Sequence, residues 1–405
     1  MSMEWAGRRP AWLVAAMVVG LVSFGGVASA KPGDILVGDE DAGPSNTGAI
    51  FRVDPATGVR TVVAQGEPLE NPSGLTVGPD GKLYVVDWST GPGDTGDVFR
   101  VDLSTGTVTS LVRGAPFVDP FDIASGPDGQ LYVVDASAGP ADTGTVFRID
   151  PATGSRVTVA EGAPFGDPIA IGVATDGTIF VGDQVDTGKI FRVDPASGAV
   201  TVASGAAELD NPYSLGRAPD GTFYVPDSSA GANGTLFRFD PLTSALTTVA
   251  QGPPFDYPTG AAVGQSGEVY VADYGAATLF RVDPASGSRS TLAPGFSFTE
   301  RDVVEPPTCR GRTATIVGTT GKDSLRGSPF GDVIASLGGK DQVNAGGGKD
   351  LVCGGSGRDI LKGGPGKDRL YGEAGADKLI GGGGKDKCVG GKSKDAGKSC
   401  EKGKL

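Results

Sequence analysis

The stretch GGKDQVNAGGGKDLVCGGSGRDILKGGPGKDRL, residues 338–370, places an Asp at every ninth position. The spacing continues on both sides without a slip, through Asp323, Asp332, Asp341, Asp350, Asp359, Asp368, Asp377, Asp386 and Asp395. An apolar residue follows two positions after each of the first eight, counting Cys388 as apolar, and a Gly stands two positions before most of them. A glycine-rich turn followed by a three-residue strand explains this spacing, because glycine adopts backbone angles closed to other residues. Two such units make one coil, so the pattern predicts a parallel β-roll over residues 309–405 with alternate Asp residues on opposite edges.

This pattern resembles the RTX (haemolysin-type) nonapeptide G-G-x-G-x-D-x-U-x, in which U is apolar. The resemblance implies Ca²⁺ between successive turns, because calcium takes about six to eight oxygen ligands from carboxylates and backbone carbonyls. The predicted metal-site residues are Asp341, Asp350, Asp359, Asp368, Asp377, Asp386, Gly348, Gly357, Gly366, Gly375 and Gly384. The alternatives are a metal-free glycine-rich solenoid and a disordered linker, although a linker would not keep the apolar position in phase.

The first three turns depart from the pattern and are weaker candidates for calcium. Thr319, Ser328 and Leu337 replace the second glycine there, as Glu373 does later, and Phe330 replaces the third. Lys or Arg precedes most of the Asp residues, which should weaken calcium binding towards the millimolar range of extracellular modules. With roughly one aliphatic side chain per nine residues the core is thin, so folding should couple to calcium.

All four cysteines lie in this C-terminal part, at Cys309, Cys353, Cys388 and Cys400. In an exported chain they indicate two disulfides, with three possible pairings. We favour Cys309–Cys353 and Cys388–Cys400, the second of which would staple the last coil. A Cys₄ zinc site is the rival interpretation, and it is disfavoured because no C-x-x-C spacing occurs.

The preceding part, residues 31–308, repeats with a longer period. The phrases ILVGD, LYVVD, LYVVD, IFVGD, FYVPD and VYVAD end at Asp39, Asp87, Asp135, Asp183, Asp227 and Asp273. A second phrase such as IFRVD follows each, and two further apolar runs and Asp-Gly turns complete the unit. Four strands per repeat are typical of one propeller blade. This part of the chain begins at the second strand of a blade and ends at an unpaired first strand. Six blades therefore close only if the two ends of this part share one blade.

The stretch NPSGLTVGPDGKLYVVD, residues 71–87, resembles the blade pattern of six-bladed propellers of the NHL-repeat and SMP-30/gluconolactonase-like group. The resemblance implies an all-β fold, a six-bladed β-propeller followed by the β-roll. It also implies a possible metal site of Glu, Asn and Asp at one mouth of the channel. The residues of similar type before the innermost strands are Asn71, Asp119, Asp122, Asp167, Asn211 and Glu300.

Other repeated or aromatic residues of the propeller have simpler interpretations. The repeated Asp and Arg, such as Asp87 and Arg100, share one face of their strands, and blades pack face to face, so these charges should pair within or between blades. We assign them a structural role, because a site needs broken symmetry and these residues keep the symmetry. Trp88, Phe121 and Tyr213 could stack on a sugar ring.

Composition bounds the function. The chain has no His, which excludes Ser-His-Asp triads, Cys-His dyads and most zinc sites. Residues 31–308 hold 15 Lys and Arg against 36 Asp and Glu, whereas residues 309–405 hold 18 against 11. Such asymmetry favours two domains. The basic tail has one Tyr and one Phe, so it lacks the aromatic interleaving of a nucleic-acid site.

Residues 1–30 read as a secretory signal peptide. Arg8 and Arg9 precede an apolar run, and Ala28-Ser29-Ala30 offers a cleavage site. The sequence therefore predicts a secreted, monomeric calcium-binding protein without a membrane span after signal removal. Its propeller would bind an extracellular glycan or protein, and its basic roll could associate with an anionic cell envelope. The alternative is a metal-dependent hydrolase or lactonase with its site in the propeller channel, since Asp or Glu can act as a base.

Overall fold

The computed structural model describes residues 34–404, apart from 46, 79, 92, 94, 185–187, 205–208, 265–266, 297–302, 305–307, 311, 315, 319–321, 392–394 and 401. The predicted signal peptide and Glu300 lie outside the described residues. Every regular element in the described part is a β-strand. Within that part, no helix is long and apolar enough to cross a membrane.

Six four-stranded antiparallel sheets form the first domain. Sheet one comprises β24 (Val303–Val304), β1 (Ile35–Asp39), β2 (Ala49–Val53) and β3 (Arg60–Gln65). Sheet two comprises β4 (Pro72–Val77), β5 (Leu83–Asp87), β6 (Asp97–Val101) and β7 (Val108–Arg113). Sheet three comprises β8 (Pro120–Ser125), β9 (Leu131–Gly139), β10 (Thr143–Ile149) and β11 (Arg156–Glu161).

The next three sheets repeat this order. Sheet four comprises β12 (Pro168–Val173), β13 (Ile179–Asp183), β14 (Lys189–Val193) and β15 (Val200–Ser204). Sheet five comprises β16 (Gly216–Arg217), β17 (Phe223–Asp227), β18 (Thr235–Phe239) and β19 (Leu246–Gln251). Sheet six comprises β20 (Pro258–Val263), β21 (Val269–Asp273), β22 (Thr278–Val282) and β23 (Arg289–Pro294). This is the predicted six-bladed propeller.

The ring closes within sheet one, as the strand count predicted. The last propeller strand, β24, pairs antiparallel with the first, β1, with Val304 opposite Leu36 and Val303 opposite Val37. A cluster that includes Val37 and Val53 of sheet one with Tyr270 of sheet six then fills the seam. The first and last blades are therefore joined by both backbone pairing and apolar packing.

The second domain is a parallel β-roll, preceded by the hairpin of β25 (Thr308–Cys309) and β26 (Arg312–Thr313). One sheet comprises β27 (Ile316–Val317), β29 (Val333–Ala335), β32 (Leu351–Cys353), β35 (Arg369–Glu373), β37 (Lys387–Gly391) and β39 (Lys402–Lys404). The other comprises β28 (Ser324–Arg326), β31 (Gln342–Asn344), β34 (Ile360–Gly366), β36 (Lys378–Gly384) and β38 (Ala396–Lys398). Two further strands, β30 (Gly338–Gly339) and β33 (Ser356–Gly357), pair at one edge.

The apolar residue of each repeat points between the two sheets. Val343, Leu361 and Leu379 come from one sheet and Val352 and Leu370 from the other, each at most 2% exposed. The disulfides join the two predicted pairs. Cys309–Cys353 fixes the hairpin to the outer face of the first coils, and Cys388–Cys400 joins two of the last.

Candidate functional site

The Asp ladder is held by a repeated backbone contact. The Oδ1 atom of each Asp accepts a hydrogen bond from the backbone N–H of the Asp one coil earlier. The contact from Asp341 to Asp359 measures 2.9 Å and that from Asp350 to Asp368 measures 3.0 Å. The same contact recurs in every coil from Asp323 to Asp395, between 2.8 and 3.0 Å. One oxygen of each carboxylate therefore fixes the register between coils.

The other carboxylate oxygen, Oδ2, is buried and has no hydrogen-bond partner among the described residues. This holds for Asp350, Asp359, Asp368, Asp377, Asp386 and Asp395. Oδ2 of Asp341 is the seventh such atom. Burial raises the pKa of Asp341 to about 6, and the nearby Ser336 hydroxyl partly opposes this effect. A buried carboxylate oxygen left without a donor is unfavourable unless a cation satisfies it.

Burial also disfavours the charged form of the Asp350, Asp359, Asp368 and Asp377 carboxylates. It raises the pKa of Asp350 to about 6 and that of Asp359 to about 7, and neighbouring ladder carboxylates add to the effect. Burial likewise raises the pKa of Asp368 and Asp377. A bound divalent cation would reverse this balance, because it favours the ionised carboxylates.

A backbone carbonyl oxygen lies beside the unpartnered carboxylate oxygens of Asp359, Asp368, Asp377 and Asp386. A Cβ built on Gly363 would lie 2.5 Å from Oδ2 of Asp368 and 2.6 Å from the carbonyl oxygen of Gly381, which is one coil further on. A Cβ on Gly372 would lie 2.4 Å from Oδ2 of Asp377 and 2.7 Å from the carbonyl oxygen of Gly390. Carboxylate and carbonyl oxygens thus converge where glycine leaves space, and this ligand chemistry fits Ca²⁺.

These first glycines of the repeat are candidate site positions that the sequence analysis did not name. The doubled glycine that begins five residues before Asp359, Asp368, Asp386 and Asp395 was the available signal. The glycines that it named, such as Gly357 and Gly375, lie instead where adjacent turns touch. A Cβ on Gly375 would lie 1.3 Å from the carbonyl oxygen of Gly357, and φ of Gly375 is 140°. These glycines permit close stacking of turns.

One early turn satisfies its own carboxylate. Ser328, which replaces the second glycine, donates its backbone N–H and its hydroxyl to Oδ2 of Asp332, at 2.7 and 2.9 Å. This oxygen has protein donors where the later ladder carboxylates have none. The departure from the repeat at Ser328 therefore removes the unpartnered oxygen at Asp332.

In the propeller, the repeated Asp residues bind backbone rather than the repeated Arg residues. The Asp87 carboxylate accepts hydrogen bonds from the backbone N–H groups of Glu70 and Asn71 at 2.7 and 2.9 Å. Asp135, Asp183, Asp227 and Asp273 accept the equivalent pair in their blades. For Asp87, Asp135, Asp227 and Asp273 the expectation of Asp–Arg pairing is corrected, because the loop before each inner strand supplies closer donors. Arg52 instead pairs with Asp34 at 3.3 Å.

The described channel candidates lie in these loops, except Asp122, which belongs to β8. Asp167 accepts a hydrogen bond from Gln184 at 2.6 Å, and Asn71 donates to Ser89. Asp122 is 5% exposed and accepts from the backbone N–H groups of Ile123 and Ile171. Asp119 and Asn211 donate their backbone N–H groups to the Asp of their own blade. Among the described residues, no three Asp or Glu side chains cluster so that they could hold a metal ion by themselves.

The aromatic candidates differ in exposure. Trp88 is 37% exposed, whereas Tyr213 is 8% exposed and its hydroxyl lies 3.1 Å from that of Tyr257. Phe121 packs partly buried against an apolar cluster between blades. Of the three residues predicted to stack on a sugar, Trp88 alone is exposed.

Two family models match the chain. The RTX calcium-binding nonapeptide repeat (4 copies) matches residues 317–352, 326–361, 354–388 and 362–395. The SMP-30/Gluconolactonase/LRE-like region matches residues 46–294. No curated protein matches the chain.

Solved structures are similar to the chain at low identity, and the first has a TM-score that supports a shared fold. A chain of a nidogen/laminin complex is 15% identical with a TM-score of 0.54, over 67% of this chain and 97% of that chain. TolB from Acinetobacter baumannii is 18% identical with a TM-score of 0.49, over 67% and 65%. Virginiamycin B lyase from Staphylococcus aureus is 16% identical with a TM-score of 0.42, over 55% and 69%. The chain belongs to the SMP-30/gluconolactonase/LRE-like family and carries RTX calcium-binding repeats after its propeller.

Proposed function

We propose that this chain is a secreted calcium-binding protein whose β-roll folds on Ca²⁺ and whose propeller serves as an extracellular binding module. The observation that carries the proposal is the row of buried Oδ2 atoms that have no donor from Asp350 to Asp395. The ligands would be these oxygens and the carbonyl oxygens of the next coil beside the first glycines. RTX repeats and two disulfides are consistent with an extracellular location.

Calcium supplies positive charge at the ladder, where the buried Oδ2 atoms have no donor from the protein. The side chains of the ladder fix the coils through Oδ1 and leave Oδ2 for the ion. Without a cation, each ionised Asp leaves a buried negative oxygen near the next one along the same edge, which opposes stacking. Ion binding is therefore coupled to folding of the roll.

Trypsin digestion of the full-length chain tests this coupling, because residues 309–405 contain 18 Lys and Arg. We expect rapid cleavage within the roll in chelator and protection in millimolar calcium, with fragments identified by mass spectrometry. The double variant Asp359→Asn and Asp377→Asn should raise the calcium needed for protection at least about tenfold. Isothermal titration calorimetry gives the corresponding affinities.

Asp332→Asn is the matched control, because Ser328 already satisfies that carboxylate. It should leave the calcium dependence within about twofold of wild type. Equal protection of the wild-type roll in chelator and in calcium would contradict the proposal.

Membership of the SMP-30/gluconolactonase/LRE-like family favours a second candidate, a metal-dependent lactonase with its site in the propeller channel. The residues assigned to it are Asn71, Asp119, Asp122, Asp167, Asn211 and Glu300. Its test is hydrolysis of sugar lactones by the full-length chain in the presence of divalent metals. Loss of that activity in Asp119→Asn and Asp167→Asn, with the roll still protected by calcium, would support it.

A further inference from the structure

The charge exposed by the roll is almost entirely positive. Of the 11 acidic residues in 309–405, nine belong to the ladder, and the other two are Glu373 and Glu401. Asp341, Asp350, Asp359, Asp368, Asp377 and Asp386 are each at most 2% exposed. Calcium at the ladder would compensate these carboxylates and leave the Lys and Arg side chains without neighbouring negative charge.

One edge of the roll arranges three cations in a row. Lys322, Lys340 and Arg358 each precede a ladder Asp and are all exposed. The parallel register places them on successive coils, because Ser324 pairs with Gln342 and Gln342 with Ile360. Neighbouring parallel strands lie about 4.8 Å apart, so the row spans roughly 10 Å.

An open groove runs along this row. It has a volume of about 530 Å³ and is lined by Lys322, Gly339, Lys340, Ser356, Gly357 and Arg358. The three cations stand on successive coils around it. We call these six residues the cationic groove.

The adjoining sheet face continues the positive charge. Arg326, Lys362 and Lys398 stand in one register row on alternate strands, and all are exposed. Cations therefore repeat along the roll axis on both the edge and the face beside it. This arrangement matches a linear polymer that carries negative charge at regular intervals.

We propose that the cationic groove and the adjoining face bind a linear polyanionic polysaccharide, and that calcium strengthens this binding. The inference rests on the proposed function, because calcium both folds the roll and compensates the ladder carboxylates beside the groove. All six cations on the groove and face are exposed, and no ion pair is described for any of them among the described residues. Charge density rather than a fixed fork geometry governs recognition by Lys. Attraction acts over roughly 8–10 Å at physiological salt, which spans the row.

The observations favour a polysaccharide over a nucleic acid. Single-stranded nucleic acids are bound by stacking on aromatic side chains as well as by charge. The roll sequence contains Phe330 and Tyr371 as its aromatic residues. Phe330 lies outside the strands of the cationic face, and Tyr371 belongs to β35 on the other sheet.

Binding of fluorescent dextran sulfate to the full-length chain, followed by anisotropy at physiological salt, tests the proposal. A polyuronate provides the carboxylate arm, with free calcium held constant because that polymer also binds calcium. We expect binding in millimolar calcium and at least about tenfold weaker binding in chelator. The triple variant Lys322→Gln, Lys340→Gln and Arg358→Gln should weaken binding at least about tenfold.

The opposite edge provides a matched control. Lys349→Gln, Lys367→Gln and Lys385→Gln remove the same charge from the equivalent positions before ladder Asp residues. This variant should change binding less than about threefold, and both triples should keep calcium protection from trypsin. Equal losses of polymer affinity in the two triple variants would show that the cationic groove is not the binding site. Tighter binding of single-stranded DNA than of dextran sulfate would show that the polymer is not a polysaccharide. Loss of calcium protection in the wild type would refute the proposed function instead, and polymer binding unchanged by chelator would refute the calcium dependence.

Discussion

At the scale of single residues, the glycines of the roll have two separable roles. The first glycine of the repeat leaves space beside an unpartnered carboxylate oxygen. The third glycine allows the turns to touch, and its φ lies in a region that other residues rarely adopt. Gly383 follows the second glycine of its turn and has no heavy atom within 4 Å of a built Cβ.

Gly375→Ala should destabilise the roll, because its φ is 140° and the new Cβ would meet the carbonyl oxygen of Gly357 at 1.3 Å. We expect a loss of at least about 2 kcal/mol in the free energy of unfolding of the calcium-loaded roll. Urea titration followed by circular dichroism measures it. Gly383→Ala is the control and should be neutral within about 0.5 kcal/mol. Equal effects of the two substitutions would show that the stacking contact is not what requires glycine.

The sequence predicted that the Asp residues stack on successive coils, because a nine-residue period is visible without coordinates. It did not reveal which glycine lies against which oxygen, since that depends on contacts between coils 18 residues apart. It marked Ser328 as a departure, but the double hydrogen bond to Asp332 became visible only in the folded turn. Calcium occupancy at each turn stays a prediction.

At the scale of the element, the Asp at the end of each second strand ties the preceding loop to its blade. Burial raises the pKa of Asp87 to about 6, although backbone N–H groups of Glu70, Asn71 and Ser89 favour its charged form. Burial raises the pKa of Asp135, Asp227 and Asp273 in the same direction. The propeller thus contains a set of carboxylates that hold their protons more tightly when folded.

The thermal stability of the propeller should fall as the pH rises through about 6. A folded pKa above the ordinary value of 3.8 contributes stability that is complete below the ordinary value and lost above the folded one. Backbone hydrogen bonds lower the pKa of turn residues such as Asp194 and Asp283, whose opposite contribution is lost only as the pH falls below 4. Fluorescence of Trp88, which follows Asp87, reports the transition.

Asp87→Asn provides the comparison, because it keeps an oxygen acceptor and removes the titration. Its melting temperature should vary less between pH 5 and pH 8 than that of the wild type. A wild-type melting temperature that rises over this interval would show that the backbone donors outweigh burial.

At the scale of the whole molecule, the propeller depends on a two-residue strand for closure. The pairing of β24 with β1 joins the ends of a chain segment of about 270 residues. Val303→Pro with Val304→Pro should break this pairing, since proline removes a backbone donor and fits poorly in a ladder. We expect a loss of about 3 kcal/mol in propeller stability, measured by chemical denaturation followed through Trp88 fluorescence. Val303→Thr with Val304→Thr is the control that keeps β-branched residues, and a loss as large as with proline would argue against backbone pairing as the cause.

The sequence predicted this closure because six second strands required a sixth first strand from the other end of the chain. It also predicted both disulfide pairs from their places along the roll. The partners of the repeated Asp residues were not predictable, because backbone donors leave no mark in a sequence. The ligand of the propeller depends on loop geometry at its mouth, and its identity stays a proposal.

The Ser328 hydrogen bonds to Asp332 give the roll a direction of assembly. The turn that satisfies its own carboxylate lies at the end tied to the hairpin by Cys309–Cys353, whereas every later turn has a buried carboxylate oxygen without a donor among the described residues. In a linear array each repeat is stabilised by its neighbour, so folding starts most easily from a repeat whose buried carboxylate already has its hydrogen-bond donors. The roll should therefore fold first at its propeller-proximal end, where one turn has its hydrogen bonds in place before calcium binds.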